Sequence, residues 1–198
     1  MVGKVTVITG PMYSGKTTEL LSFVEIYNIG KKKTIVFKPS IDNRYGIDTV
    51  STHTGFQVKA FRISSSKEIL DYITDDIDAV FVDEVQFLDV NLVDIVKKLV
   101  FDGIDVYCAG LDISYLENPF ETTSKLLAIA DEVIKKKAVC EKCGEHRATY
   151  SYKTVPDGGE IDVGGKDKYI AICRECLRKL KKTKEVSKWK SYSFCFLF

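Results

Sequence analysis

A glycine-rich segment close to the start of the chain constrains the fold more than any other feature. Residues 10–17 read GPMYSGKT, which matches G-x-x-x-x-G-K-[ST] in full, after a β-rich run and before residues with helical spacing. In such a strand–loop–helix unit, loop N–H groups and the positive end of the helix face phosphates. Lys16 would reach the β- and γ-phosphates, and the Thr17 hydroxyl would bind Mg²⁺. A plain glycine turn is disfavoured because all three patterns are in register. The predicted nucleotide-binding residues are Gly10, Pro11, Met12, Tyr13, Ser14, Gly15, Lys16 and Thr17.

The first 137 residues alternate short apolar runs with segments of helical spacing. Residues 39–56 lack periodicity and are predicted to form a long loop. Helices are predicted to end at Gly30 and Gly103, the second one capped by Asp89, and a shorter one follows a capping box at Ser65 and Glu68. We therefore expect an α/β fold of the P-loop NTPase type, a parallel sheet with helices on both faces. Strands are predicted over 5–8, 34–37, 79–82, 106–109 and 133–134.

The sequence changes character near Ala138, where cysteines and paired glycines replace the alternation of strands and helices. We predict a nucleotide-binding α/β domain over 1–138, a zinc-binding domain over 139–180 and a basic and apolar tail over 181–198. Residues 178–190 hold seven basic side chains against one acidic one, which is typical of a solvated helix face. A subunit contact and a weak anionic tether are the alternatives for this run.

Composition narrows the function classes. Twenty-nine basic and 28 acidic residues nearly cancel in a chain of 198, so the net charge of +1 gives no electrostatic case for binding nucleic acid or a membrane surface. No apolar run reaches the roughly 18 residues of a membrane span. No secretory signal is recognisable, and we expect a cytoplasmic protein whose six cysteines stay reduced.

An acidic pair follows the apolar run at 79–82. A carboxylate at the end of that strand would lie beside the phosphate loop, where Asp83 can hold Mg²⁺ directly or through water. Glu84, one residue further, can take a proton from an attacking hydroxyl group or water as a general base. The two residues do not decide between water and an alcohol as the nucleophile, and an acidic pair that caps a helix is the structural alternative.

Four of the cysteines form two C-x-x-C pairs, Cys140/Cys143 and Cys173/Cys176, separated by 29 residues. Thiolates at this spacing can complete a closed tetrahedral Zn²⁺ site, which would stabilise a segment too small for a large core. Disulfides are less favoured in a reducing compartment, and catalytic zinc is disfavoured because four thiolates leave no open position. Residues 154–169 form an excursion between the pairs, either a loop that closes over a ligand or a plain surface hairpin.

The chain resembles the cellular-type (type II) thymidine kinases. The resemblance rests on GPMYSGKTTEL, VDEVQF, the GLD segment followed by NPF, AVCEKCG and GGKDKY before the second cysteine pair, in the same order from residue 5 to about 178. It implies transfer of the γ-phosphoryl group of ATP to the 5′-hydroxyl of thymidine or deoxyuridine with Mg²⁺. It also implies a homotetramer and dTTP as a feedback inhibitor. Val85 and the run 113–115 depart from the usual family residues, which affects the expected contour of the pocket.

The resemblance assigns further residues. Glu84 matches the catalytic base and Asp83 the carboxylate on the metal side. The nucleotide-phosphate loop corresponds to Asp42, Asn43 and Arg44. The excursion corresponds to a lasso that binds thymine through its backbone. The implied nucleoside-binding residues are Gln86, Phe87, Leu111, Tyr115, Phe120, Asp162, Val163 and Tyr169.

Two other functions fit parts of the sequence less well. An ATPase motor would use the acidic pair to activate water, but it needs coupling elements that are not recognisable in this sequence. A zinc-ribbon module for nucleic acid needs basic and aromatic residues around the cysteines. Residues 154–165 contain three acidic residues and no basic one, which argues against that module.

Overall fold

The computed structural model describes residues 2–42, 49–51, 57–155, 159 and 164–193. None of the helices within these ranges has the length and hydropathy that a membrane-spanning helix needs. In chain order the elements are β1 (Val5–Thr9), α1 (Lys16–Ile29), β2 (Thr34–Pro39), β3 (Thr49–Ser51), β4 (Gln57–Lys59), β5 (Phe61–Ile63), a 3₁₀ helix (Ser66–Tyr72), β6 (Ala79–Val82), a 3₁₀ turn (Val85–Phe87), α2 (Leu92–Phe101), β7 (Asp105–Gly110), α3 (Glu121–Ile129), β8 (Glu132–Lys135), β9 (Tyr150–Lys153), β10 (Tyr169–Ile172) and α4 (Arg174–Ser193).

A six-stranded parallel sheet in the order β5-β2-β6-β7-β1-β8 forms the centre of the fold. Side chains alternate between its faces along each strand, as the two-residue period of a strand requires. In β6, for example, Val80 and Val82 join one core cluster with α2 and α3, whereas Ala79 and Phe81 join a second cluster with α1. The predicted α/β sheet with helices on both faces is confirmed.

The parallel arrangement positions the functional loops. The carboxyl ends of β1, β6 and β7 lie at the same edge of the sheet, with β7 between the other two. Gly10, Asp83 and Leu111, which follow these three strands directly, are therefore brought to one edge although they lie far apart in the sequence.

Three details of the sequence prediction are wrong. Residues 39–56 are not a continuous loop, because β2 extends to Pro39 and β3 pairs with β4 in a short antiparallel hairpin. Strand β5 at the edge of the main sheet was not predicted. Asp89 is not the N-cap of α2, which is Asn91. The Asp89 carboxylate accepts hydrogen bonds from the backbone and side chain of Ser66 at 2.8 and 2.7 Å, and from the backbone N–H of Asn91 at 3.1 Å just before the helix. The capping box of Ser65 and Glu68 is confirmed.

The C-terminal part is a small unit around the cysteines. Strands β9 and β10 pair in an antiparallel sheet, and Ala138 and Ala148 form a bridge beside it. Helix α4 begins directly after Cys173 and continues to Ser193, so the proposed division at residue 181 falls inside a helix. The division into domains remains a prediction.

Candidate active site

The phosphate loop runs from the end of β1 to the start of α1, and three of its residues have positive φ angles. These are Gly10, Tyr13 and Gly15, at 140°, 63° and 78°. Glycine adopts such angles without strain, whereas a tyrosine does so at a cost. At Gly10 a Cβ would also lie 2.5 Å from the carbonyl oxygen of Lys136, so the sheet approaches too closely for a side chain.

The inside of the loop holds polar groups suited to phosphate. Lys16 is buried, and its ammonium group donates a 2.9 Å hydrogen bond to the carbonyl oxygen of Pro11. Ser14 is buried too, and its hydroxyl has no hydrogen-bond partner among the described residues. Because buried hydroxyl groups are normally bonded, a phosphate oxygen is a suitable partner for Ser14. With the N-terminal end of α1, these groups fit a nucleotide phosphate chain.

A hydrogen bond joins the phosphate loop to the acidic pair. The Thr17 hydroxyl donates to Oδ2 of Asp83 at 2.9 Å, across the end of β7. Burial, and then the charge of Glu84, raise the pKa of Asp83 to about 7. A divalent cation would oppose both effects, and a hydroxyl with a carboxylate is the kind of oxygen donor set that Mg²⁺ takes. Thr17 and Asp83 therefore fit a Mg²⁺ site.

Glu84 has an unusual backbone and a fixed side chain. Its φ and ψ of 51° and 43° lie in the left-handed region, directly before the 3₁₀ turn at Val85–Phe87. Its carboxylate accepts a hydrogen bond from the side-chain amide of Gln86. The amide oxygen of Gln86 accepts a 3.0 Å hydrogen bond from the backbone N–H of Leu111. Glu84 is half-buried at the same sheet edge as the phosphate loop.

The four paired cysteines form one cluster. The sulfur atoms of Cys140, Cys143, Cys173 and Cys176 all lie within 4.8 Å of one another. Sulfur atoms about 3.8 Å apart are expected around zinc, given Zn–S bonds of about 2.3 Å, and Cys143 and Cys173 are 3.9 Å apart. A disulfide needs about 2.05 Å, and all four cysteines are free.

The turn after Cys140 and the backbone N–H groups around the cysteines favour a cation in the cluster. Gly144, with a φ of 76°, closes the first turn, and its N–H donates to the carbonyl oxygen of Cys140 at 2.8 Å. Burial raises the pKa of Cys140, but backbone N–H groups, chiefly that of Cys173, outweigh it and lower the value to about 6. Burial and the neighbouring cysteines raise the pKa of Cys176 to about 12, so a second thiolate forms in this cluster only with difficulty unless a cation offsets the charge. The cluster therefore fits the predicted metal site.

The comparisons with known proteins agree with this geometry. The model of the thymidine kinase family matches residues 3–177. The chain belongs to the thymidine kinase family. A thymidine kinase of Pseudothermotoga lettingae is 60% identical over 180 residues, 91% of this chain and 97% of the relative. Another from Bacteroides thetaiotaomicron is 40% identical over 174 residues, 88% of this chain and 86% of the relative. Among solved structures, Pif1 helicase from Candida albicans shares 16% identity over 67% of this chain and 36% of that chain, at a TM-score of 0.39 that carries no conclusion.

Two of the aromatic residues that the thymidine kinase resemblance assigns to the nucleoside lie together. The rings of Tyr115 and Tyr169 have centroids 6.2 Å apart, and the Tyr115 hydroxyl donates to the carbonyl oxygen of Gly159 at 3.4 Å. The ammonium group of Lys153 lies 5.0 Å from the centre of the Tyr115 ring. Tyr115 therefore lies beside Lys153 and Tyr169, which stand at the two ends of the excursion between the cysteine pairs.

For other residues that the resemblance assigns, the structure gives the position in the fold and the burial. Phe87 ends the 3₁₀ turn after Glu84, and Phe120 immediately precedes α3; both are half-buried. Asp42 is buried, and its N–H donates to the carbonyl oxygen of Pro39 at 3.1 Å. The assignments of Asn43, Arg44, Asp162 and Val163 lie outside the described residues.

The sequence interpretation missed a contact between the two parts of this thymidine kinase. The hydroxyl oxygen of Ser151 in β9 accepts a 2.9 Å hydrogen bond from the backbone N–H of Met12 in the phosphate loop. Tyr13 packs against the core around the cysteines, and the ammonium group of Lys166 lies 5.8 Å from its ring centre. Residues 139 positions apart carry no local signal of such a contact. The only hint is that Ser151 and Lys153 share the buried side of β9.

A cavity of about 530 Å³ opens beside the cysteine cluster, lined by Lys137, Arg147, Thr149, Cys173, Arg174, Glu175 and Arg178. None of the residues assigned to the nucleotide or the nucleoside lines it. Two of its cations are engaged within the protein: Arg147 pairs with Glu175 at 3.1 Å, and Arg174 donates to the Tyr150 hydroxyl at 2.9 Å. This cavity is therefore separate from the residues assigned to the nucleotide and the nucleoside.

Proposed function

We propose that this protein is a kinase that transfers the γ-phosphoryl group of ATP to the 5′-hydroxyl of thymidine, and of deoxyuridine, to give the monophosphate in nucleotide salvage. Membership of the thymidine kinase family supports the substrate pair. The observation that carries the chemistry is the hydrogen bond between Thr17 and Asp83, because it joins the phosphate loop to the acidic pair at one sheet edge.

Each group has a role in the transfer. Lys16, Ser14 and the loop N–H groups hold the phosphates of ATP, and Thr17 and Asp83 would hold Mg²⁺. When bound, Mg²⁺ supplies neutralisation of phosphate charge. The 5′-oxygen of the nucleoside forms a bond to the γ-phosphorus while the bond to the β–γ bridging oxygen breaks and ADP leaves. Glu84 takes the proton of the 5′-hydroxyl. Most of the rate enhancement comes from positioning and charge stabilisation.

The nucleoside would lie under the excursion at 154–169. Backbone groups near Asp162 and Val163 pair with the O4 and N3 edge of thymine in this proposal, and Tyr115 and Tyr169 supply aromatic surface at its base. Cytosine presents its amino donor where the protein already presents a donor. Such a mismatch leaves buried polar groups unpaired and can discriminate by roughly 10⁴-fold.

The remaining assignments complete the proposal. Phe87, Leu111 and Phe120 line the nucleoside pocket, and Asp42, Asn43 and Arg44 contact the phosphates, with Arg44 stabilising charge during transfer. The four cysteines hold a structural Zn²⁺ that anchors both ends of the excursion. We further propose a cytoplasmic homotetramer that dTTP inhibits by occupying the active site.

One assay tests the function. The purified protein is incubated with ATP, Mg²⁺ and each nucleoside in turn, and monophosphate formation is followed by chromatography. Thymidine and deoxyuridine should be converted and deoxycytidine should not. Glu84→Gln should retain ATP binding and lose on the order of 10²-fold or more in turnover. ATP hydrolysis that is equally fast without any nucleoside would instead indicate an ATPase.

A further inference from the structure

Gln86 lies between Glu84, the proposed base, and the carboxyl end of β7. Its side chain is buried at 6% exposure. The amide nitrogen donates to the carboxylate of Glu84, and the amide oxygen accepts from the N–H of Leu111 at 3.0 Å. Both ends of the side chain are thus used within the protein.

The orientation of this amide follows from its neighbours. An ionised carboxylate accepts hydrogen bonds but cannot donate them, and a backbone N–H donates but cannot accept them. The reversed amide would place two acceptors together at Glu84 and two donors together at Leu111. Only the orientation with nitrogen toward Glu84 satisfies both contacts.

The end of β7 is shaped around this side chain. A Cβ at Gly110 would lie 2.7 Å from the amide oxygen of Gln86 and 2.7 Å from a methyl group of Val85. Glycine at this position therefore allows the strand to approach Gln86 closely enough for the bond to Leu111. The strand is part of the central sheet, so the contact ties the Glu84 carboxylate to a rigid element.

We infer that Gln86 is a positioning residue, which orients the Glu84 carboxylate toward the 5′-hydroxyl, and that it does not recognise the nucleoside itself. The inference rests on the proposed function, because it assumes that Glu84 is the base. A misplacement of about 1 Å in a reacting group can cost on the order of 10²-fold in rate. Loss of the contact to Glu84 should therefore lower kcat.

Gln86→Glu is the sharpest variant, since the side chain keeps its length. Its carboxylate still accepts the hydrogen bond from Leu111 but has no donor for Glu84, so the two carboxylates repel each other. We expect kcat for thymidine to fall by about 10- to 100-fold and KM to change less than about twofold. Gln86→Ala, which removes both contacts, should show the same division between kcat and KM. A circular dichroism spectrum that matches that of the wild type shows that Gln86→Glu retains the fold, although the repulsion should lower its unfolding temperature.

A double-mutant cycle with Glu84→Gln decides whether Gln86 acts through the base. If it does, adding Gln86→Glu to Glu84→Gln lowers kcat no further. A further 10-fold loss in that background, or a KM for thymidine that rises while kcat is kept, overturns the inference. The failure of the proposed function is visible separately, because Glu84→Gln alone would then keep full turnover, or the wild-type protein would not phosphorylate thymidine.

Discussion

Replacement of Gly10 by alanine tests whether the sheet and the phosphate loop are held as closely as the structure shows. The φ of 140° at Gly10 belongs to a region that only glycine populates freely, and forcing alanine into it costs about 1–3 kcal/mol. The new Cβ would also lie 2.5 Å from the carbonyl oxygen of Lys136. That residue cannot withdraw easily, because its N–H donates a 2.7 Å hydrogen bond to Thr9 at the end of β1.

The backbone at Gly10 or Lys136 must move to relieve the contact between the new Cβ and the carbonyl oxygen, which adds about 1–3 kcal/mol. Gly10→Ala should therefore lower the free energy of unfolding by about 2–6 kcal/mol, a large part of the roughly 5–15 kcal/mol of a typical domain. At about 2–4 °C per kcal/mol for a chain of this size, the unfolding temperature should fall by at least about 4 °C.

Gly15→Ala is the matched control in the same loop. Its φ is 78°, and no atom lies within 4 Å of the position of an added Cβ. Only the left-handed conformation is penalised, at about 1–2 kcal/mol. Urea unfolding of the metal-loaded variants, followed by circular dichroism, measures both values. Equal destabilisation within about 0.5 kcal/mol would show that the contact with Lys136 contributes nothing and that the argument from close approach is wrong.

Three further predictions concern other parts of the molecule. Ser151→Ala, which removes the acceptor for the Met12 N–H, should weaken ATP binding in calorimetry by about 3- to 10-fold. An unchanged affinity would show that this contact does not support the phosphate loop. Ser22→Ala, a change at an exposed residue, is the control and should bind ATP as the wild type does. Cys143→Ser should lose bound zinc in elemental analysis and unfold at a lower temperature, whereas Cys108→Ala, buried in β7 away from the cluster, should keep the metal; a metal content unaffected by Cys143→Ser would refute the site. Asp89→Asn should lower the free energy of unfolding by about 1–2 kcal/mol at pH 7. Burial raises the pKa of Asp89, but hydrogen bonds from Ser66 and Asn91 outweigh it and lower the pKa to about 2. The stabilisation by the carboxylate is therefore complete above about pH 4 and is lost as the pH falls toward 2. In urea unfolding at pH 7 and pH 3, a difference between wild type and variant that is the same at both would contradict this assignment.

The sequence predicted the main sheet well for a physical reason. Buried parallel strands read as short apolar runs, and β1, β6 and β7 are buried on both faces, so each gives a strong signal. The short strands β3, β4 and β5 give none, because three residues are too few to show a periodicity. Strand β5 pairs with β2 of the main sheet, whereas β3 and β4 pair only with each other.

The candidate site was predictable where a motif carries its own geometry. The phosphate loop and the cysteine pairs specify turns that bring their functional atoms together, and the structure has both clusters. The contact of Met12 with Ser151 has no such signal because it depends on how two distant parts pack. For Gln86, the resemblance predicted a role toward the nucleoside, whereas its hydrogen bonds are to Glu84 and Leu111.

The two acidic residues are adjacent in the chain yet serve different partners, and the backbone of Glu84 explains how. Asp83 directly follows β6 and accepts a hydrogen bond from Thr17, on the side of the phosphate loop. If Glu84 continued as strand, its side chain would simply alternate to the opposite face of the sheet. The left-handed turn at Glu84, with a φ of 51°, ends the strand there and directs its carboxylate to Gln86, above β7. That conformation costs a non-glycine residue about 1–2 kcal/mol. The hydrogen bond from Gln86, itself held by the N–H of Leu111, offsets this cost and fixes the carboxylate, so in the proposed mechanism both bonds help to position the base.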